Sequence, residues 1–174
     1  MSRVLIVGAS RGIGLETVKI ALKAGHSVRA MARSASAIRI DNASLEKLDG
    51  DALDQHTMER ALVGADAVIQ TLGVSPTPER IVGGTRLFSS ATRILVDAMT
   101  ASTVRRLICV TGLGAGDSRG RGGLLYNAGL CLFLGRIYAD KDVQERIIRQ
   151  SQLDWTIVRP TVLTSGPRTG ASSC

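Results

Sequence analysis

The sequence predicts an α/β protein in three layers, a doubly wound parallel sheet with helices on both faces. Three observations carry this. Short runs of β-branched and aliphatic residues alternate with helix-like segments along most of the 174 residues, the pattern of a parallel sheet joined by helical crossovers. The first such run ends in a glycine-rich loop that opens a helix, Gly8-Ala9-Ser10-Arg11-Gly12-Ile13-Gly14. A later run, Leu107-Ile108-Cys109-Val110, is apolar at every position, as a strand buried on both faces requires.

Taken in order, the first strand is Arg3 to Val7. A helix from Gly12 to Ala24 follows, with Ile13, Val18, Ile20 and Leu22 as its apolar positions and Gly25 as its stop. The second strand is Ser27 to Ala32, and the third, short, is Leu45 to Leu48, ahead of Asp49-Gly50-Asp51. Residues 54 to 63 read as a helix ended by Gly64, and Ala67 to Thr71 as the fourth strand. Past Pro76 and Pro78, a long helix from Thr85 to Ser102 leads to the fifth strand, Arg106 to Thr111. A glycine-rich stretch, Gly112 to Gly123, comes next. A helix at Arg136 to Ser151 then precedes the sixth strand, Trp155 to Arg159, which exits at Pro160. Neither an internal repeat nor a linker interrupts the alternation, so a single domain is expected.

The composition narrows the function classes. A net charge of +7 invites a nucleic-acid reading, but the basic residues (Arg3, Arg29, Arg39, Arg60, Arg80, Arg93) are scattered and read as a solvated basic surface. Aromatic residues make up only 3%, too few for a base-stacking platform. No nucleic-acid partner is expected; the charge suits steering of anionic small molecules. Cys109, Cys131 and Cys174 are widely spaced, which argues against a disulfide framework and against a metal site. No run approaches the ~18 apolar residues of a membrane span, and the apolar Val4 to Val7 is too short for a signal peptide. A reducing cytoplasm and no membrane association are the expectation.

The loop carries the chemistry. Glycines at 8, 12 and 14 let the chain turn off the strand and bring backbone N–H groups to a pyrophosphate. The helix that follows aims its positive N-terminal end at the same phosphates. Because the motif follows a strand and opens a helix within a βαβ unit, its context is that of a dinucleotide-binding Rossmann fold. The end of the second strand discriminates between cofactors. An NAD site places Asp or Glu there for the ribose 2′-OH; this chain has Ala32-Arg33-Ser34. A guanidinium holds a 2′-phosphate that a carboxylate would repel, and Arg11 can close from the loop side. The expected cofactor is NADP (NADPH).

These residues resemble a known family. Gly8 to Gly14 is similar to the GxxxGxG motif of short-chain dehydrogenase/reductases. Gly50-Asp51-Ala52-Leu53, Ala65 to Ile69, Thr71-Leu72-Gly73 and Ser151 to Pro160 resemble the atypical, NmrA-like and biliverdin/flavin reductase branch. The resemblance implies an NAD(P)H-binding site in which Gly8, Ser10, Arg11, Gly12, Ile13 and Gly14 hold the pyrophosphate. It implies further that Arg33 and Ser34 hold the 2′-phosphate. Asp51 and Ala52 would border the adenine, with a plain turn or helix cap as the competing reading of Asp51. Thr71, Leu72 and Gly73 would pass under the ribose and pyrophosphate. Thr111, Pro160, Thr161 and Val162 would flank the nicotinamide. Gly112, Leu113 and Tyr126 would face the substrate.

The proton-transfer apparatus departs from the family's. Conventional members use a Ser and a YxxxK pair, in which the Lys lowers the Tyr pKa. Here Tyr138 and Lys141 are three apart, Asp142 stands where the Lys belongs, and Gly112 follows Thr111 where a Ser would stand. Lys141 therefore becomes the first catalytic candidate and Tyr138 the second. Lys141 can supply a proton or hold the cofactor ribose beside the nicotinamide; it can equally be one half of a solvent-facing pair with Glu145. The uncharged stretch Leu124 to Leu134 reads as pocket lining, subunit contact or core, and Arg119 and Arg121 as an acid clamp or a solubilising pair. The substrate side, about 112–136 and 160–174, looks thin, either that of a minimal reductase or of a truncated form helped by a partner subunit. The leading expectation is an NADPH-dependent oxidoreductase passing hydride to a small conjugated, flavin-like or carbonyl acceptor. The alternative is a non-catalytic NADP(H)-binding redox sensor. A homodimer is plausible on its edge strand and apolar helix.

Overall fold

A computed structural model of the chain describes residues 1–74, 85–112 and 139–160. Six strands form one parallel sheet: β1 (Arg3–Val7), β2 (Ser27–Ala32), β3 (Leu45–Asp49), β4 (Ala67–Gln70), β5 (Arg106–Val110) and β6 (Asp154–Val158). Their order across the sheet is β3-β2-β1-β4-β5-β6. The chain thus builds outward from β1 in one direction, returns, and builds outward in the other through β4. The reversal lies between β1 and β4, which pair in register from Val4 with Ala67 to Val7 with Gln70. A crevice opens beyond the carboxyl ends of the strands at such a switch point.

The helices are α1 (Gly12–Lys23), α2 (Gln55–Leu62), α3 (Leu87–Ala101) and α4, residues 139–150. One apolar cluster joins Leu5, Val7, Val68, Leu107 and Cys109 of the sheet to Met58 and Ala61 of α2, Leu95 and Met99 of α3 and Ile148 of α4. On the other face, Val4, Ile6, Val28 and Ala30 pack against Val18 and Ala21 of α1. The sheet is therefore sandwiched as expected, with three of the helices on one side.

The described strands and helices agree with the sequence expectation to within three residues at their ends, and the differences are informative. Ile13 and Ile20 do not face the core: they are exposed at 37% and 67%. At ~100° per residue, the inward stripe of α1 is Gly14, Val18 and Ala21, and Ile20 lies about 200° from Val18. Gly25 does stop the helix, at φ +82°. A 3-10 turn, Ala35–Ala37, follows β2 and is absent from the expectation. On β5, Leu107 and Cys109 are buried, whereas Ile108 and Val110 are only half-buried. Arg29 does not belong to the solvated surface. It is 8% exposed, and its Nη1 donates to the carbonyls of Ala61 and Val63 at 2.7 Å each, where the free carbonyls of the α2 C-terminus need a cationic donor. Its Nε lies 2.8 Å from a Glu46 carboxylate oxygen.

Among the described residues, no helix is long and apolar enough to cross a membrane, and no group of three or more His, Cys, Asp or Glu could hold a metal ion.

Candidate active site

A cleft of about 820 Å³ lies along the carboxyl ends of the strands. Its floor is the β1–α1 loop. Gly8 has φ +90° and Gly12 has φ +56°, a region that costs an L-residue with a Cβ roughly 1–2 kcal/mol. Gly14 answers a different need: a Cβ there would collide with the Gly8 carbonyl and come within 2.7 Å of Thr71 Oγ1. Only glycine lets the first turn of α1 sit against the loop it caps. Thr71 closes this junction from β4, its N–H donating to the Val7 carbonyl at 2.8 Å and its hydroxyl at 3.0 Å. The loop is also tied to β2, since the Gly8 and Ala9 N–H groups donate to Met31 O at 2.9 and 3.2 Å.

Most residues singled out from the sequence line this one cleft. They are Gly8, Ser10, Arg11, Gly12 and Ile13 of the loop, and Arg33 and Ser34 after β2. Asp51 and Ala52 line it after β3, Thr71, Leu72 and Gly73 after β4, and Thr111 and Lys141 at the far end. Gly14 lies beneath the loop, buried. Gly112, buried, and Pro160, half-buried, are described but are not among the lining residues. Tyr138, Leu113, Tyr126, Thr161 and Val162 lie outside the described residues, as do Cys131, Cys174, the Leu124 to Leu134 stretch, Arg119 and Arg121. Met31, Gly50, Leu53, Val74, Thr85 and Leu87 also line the cleft without having been foreseen.

At the β2 end, Arg33 and Ser34 are exposed. The acid nearest this corner in the sheet, Asp49, is turned to another task. Its Oδ1 accepts from the Ser36 N–H at 2.9 Å, and the Ser36 N–H and hydroxyl hold its carboxyl below the usual carboxylate range. Asp49 thereby pins the 3-10 turn that presents Arg33. Asp51 behaves as a turn residue: its Oδ1 accepts from Leu53 N–H at 3.0 Å, while Asp54 is the residue that caps α2.

At the other end stands a polar cluster that the sequence shows only in part. Lys141 Nζ donates to the Thr111 carbonyl at 2.6 Å and sits 4.8 Å from the centre of the Phe88 ring. Glu145 is not the solvent-facing partner of Lys141. Its side chain is 2% exposed and its carboxylate is forked by Arg159, Nε at 2.9 Å and Nη2 at 2.6 Å, while the Thr111 hydroxyl donates to it at 2.8 Å. Burial holds the Lys141 amine below the ordinary lysine value, with Cys109 and Glu145 opposing the shift as smaller effects. Helix α4 is seated on β5 by a buried network in which Gln144 Nε2 donates to Thr92 Oγ1 at 3.0 Å and to Cys109 Sγ at 3.3 Å. Asp140 ties α4 to α3, its Oδ2 accepting from the Phe88 N–H at 2.9 Å at the start of that helix. Sequence reasoning missed Asp140, Gln144 and Arg159; the available signal was that positions 141, 144, 145 and 148 share one helix face, three of them polar.

Cys109 is a core residue, as expected. Burial pushes its thiol up to about 12, with Lys141 lowering and Glu145 raising it as smaller effects. Since the thiolate is the nucleophile, Cys109 is expected to escape alkylation by iodoacetamide at pH 8 in the native protein and to react fully in denaturant. Peptide mass spectrometry reads this directly, and labelling in the native state at the rate of an exposed thiol would contradict the burial.

The comparisons agree with this geometry. A family model described as NAD(P)H-binding matches residues 8–173. The chain belongs to that NAD(P)H-binding family. Its fold is shared with a protein described as a Rossmann-fold NAD(P)-binding family protein from Shigella flexneri, 27% identical with a TM-score of 0.65. Protein TIC 62, chloroplastic, of Arabidopsis thaliana is 31% identical over 176 residues, covering 90% of this chain and 26% of that protein. The counterpart of Pisum sativum is 32% identical, with 32% of its length covered; the chain thus spans about a quarter to a third of these curated relatives. Among solved structures, the protein described as ChuY, an anaerobillin reductase from Escherichia coli O157:H7, superposes with a TM-score of 0.76 at 26% identity. The match covers 97% of this chain and 77% of that one.

Proposed function

We propose that the protein is an NADPH-dependent reductase that passes hydride to a small conjugated, flavin-like or carbonyl acceptor. The observation that carries the reading is the single cleft running from Arg33 and Ser34, past the glycine loop, to Thr111 and Lys141. A dinucleotide laid along it sets its 2′-phosphate beside Arg33 and Arg11, its pyrophosphate on the α1 N-terminus, and its nicotinamide toward Thr111 and Lys141. Asp49, at the end of β3, is not among the residues that line the cleft. The cofactor contributes the hydride when bound. The chain's residues orient it, and Lys141 is the group placed to give a proton to the reduced acceptor. Scattered cysteines fit a reducing compartment, the cytoplasm.

The sign of the pH dependence follows. A proton donor must be charged, so the rate persists below the Lys141 pKa and falls as pH rises through it, at a midpoint below that of an ordinary lysine. Lys141→Met should remove that limb and lower the rate by about 10²-fold or more. Calorimetric titration with NADPH and with NADH, followed by NADPH-oxidation assays on flavins, quinones and small carbonyls, tests the proposal. Preferential NADPH binding with turnover supports it. Binding without turnover on any acceptor class would replace the reductase by a cofactor-sensing protein, and equal affinity for the two cofactors would overturn the NADP assignment.

A further inference from the structure

We propose that Glu145 and Arg159 form a positioning pair for Lys141, acting through Thr111; the inference rests on the reading of Lys141 as the group that faces the nicotinamide. Neither residue of the pair lines the cleft. Both stand behind it, where α4, β5 and β6 meet.

The geometry is specific about what the pair holds. Every polar group of Thr111 is engaged. Its N–H donates to the Val158 carbonyl of β6 at 2.9 Å, its hydroxyl to Glu145 Oε1 at 2.8 Å, and its carbonyl accepts from Lys141 Nζ at 2.6 Å. The peptide that ends β5 is therefore fixed in direction from three sides, and its carbonyl aims Lys141. A lysine carries a flexible four-carbon stem, and left to itself such an ammonium samples many positions. Here the carbonyl at one side and the Phe88 ring 4.8 Å away at another confine it.

Stability alone does not account for the pair. A carboxylate with 2% side-chain exposure is costly to desolvate. A forked guanidinium and a hydroxyl donor offset that cost, yet apolar residues of similar size commonly do as well or better in such a place. The arrangement does what apolar residues could not. It orients a hydroxyl, and through it a carbonyl, and it sets a negative charge near the ammonium. Among the described residues, the groups that face Lys141 include Cys109 of β5 and Glu145 of its own helix and the Phe88 ring of α3, with Arg159 and Arg149 behind Glu145. Arg149 Nη2 lies 3.5 Å from the Glu145 carboxylate. Asp140 points instead at the α3 N-terminus.

The test reads Lys141 itself and requires no acceptor. The chain has four lysines, Lys19, Lys23, Lys47 and Lys141, so a protein labelled with ¹³C-lysine gives four Cε signals, and Lys141→Met assigns the one of interest. In Glu145→Gln the Lys141 signal should move and titrate at lower pH than in the wild type, because a negative neighbour has gone; the other three should titrate unchanged. Arg159→Lys, which keeps the charge and loses the fork, should give an intermediate signal. If Glu145→Gln fails to fold, Thr111→Val exchanges the hydroxyl for a methyl at constant shape and should displace the same signal. A Lys141 signal and midpoint identical to wild type in a folded Glu145→Gln or Thr111→Val variant would overturn the proposal, whatever happened to the melting temperature. Addition of NADPH to the wild type separates this from the functional reading. If NADPH moves the Lys141 signal but Glu145→Gln does not, the reading stands and the pair falls. If Glu145→Gln moves it and NADPH does not, the pair stands and the nicotinamide placement falls.

Discussion

Replacing Gly14 with alanine is expected to weaken cofactor binding severely and to destabilise the fold together. The new methyl would meet the Gly8 carbonyl and Thr71 Oγ1, both fixed by the β1–β4 junction, so no flexible side-chain end can yield. Overpacking of this kind costs about 1–3 kcal/mol, and for a chain of this size each kcal/mol lowers the melting temperature by about 2–4 °C. Relief comes by sliding α1 away from the loop, which takes its N-terminal N–H groups off the pyrophosphate position. NADPH affinity should fall by about 100-fold or more, since several charge-assisted hydrogen bonds weaken at once. Gly73→Ala provides the contrast. Nothing lies within 4 Å of a Cβ there, so the melting temperature should hold, while a methyl on the cleft wall weakens binding. Thermal melts and NADPH titrations on the two variants read both quantities. Should Gly14→Ala bind NADPH as the wild type does, the loop would not be the phosphate site.

The sheet was legible because most strands carry short apolar runs, β3 (LEKLD) being the exception, and because the first two helices stop at glycines, Gly25 with φ +82° and Gly64 with φ +69°. The cleft was legible because a parallel sheet collects the residues after each strand at one edge, so Arg33, Asp51, Thr71 and Thr111 needed only their strands to be placed. What stayed hidden depends on contacts between distant segments. Glu145 and Arg159 look like one member of a helix pair and a strand-end cation until β6 is laid parallel to β5, pairing Val110 with Val158. Arg29 was mistaken for surface because a lone cation in a strand reveals nothing of the helix end it caps, 32 residues away. Ile20 misled in the opposite sense: its apolar character suggested the core, and only the angular position on α1 excludes it.

The proposed NADP preference is testable at one residue. Arg33 follows β2, the strand next to β1 on the side away from the switch point, and shares the cleft with Arg11 of the loop. A ribose 2′-phosphate in that corner meets two guanidiniums, which attract it more strongly than a neutral 2′-hydroxyl. Arg33→Ala should therefore raise the NADPH dissociation constant about 10- to 100-fold, the range of one lost charge-assisted contact, and leave that for NADH within about twofold. Because Arg33 is exposed, the contribution is screened. Raising ionic strength should weaken NADPH binding in the wild type more steeply than in the variant. Arg11→Ala should act in the same direction, and the double variant should lose less than the two single losses combined, because the two cations share one phosphate. An equal loss for both cofactors would move Arg33 off the 2′-position and onto a group the two dinucleotides have in common, leaving the glycine loop as the site and removing its preference.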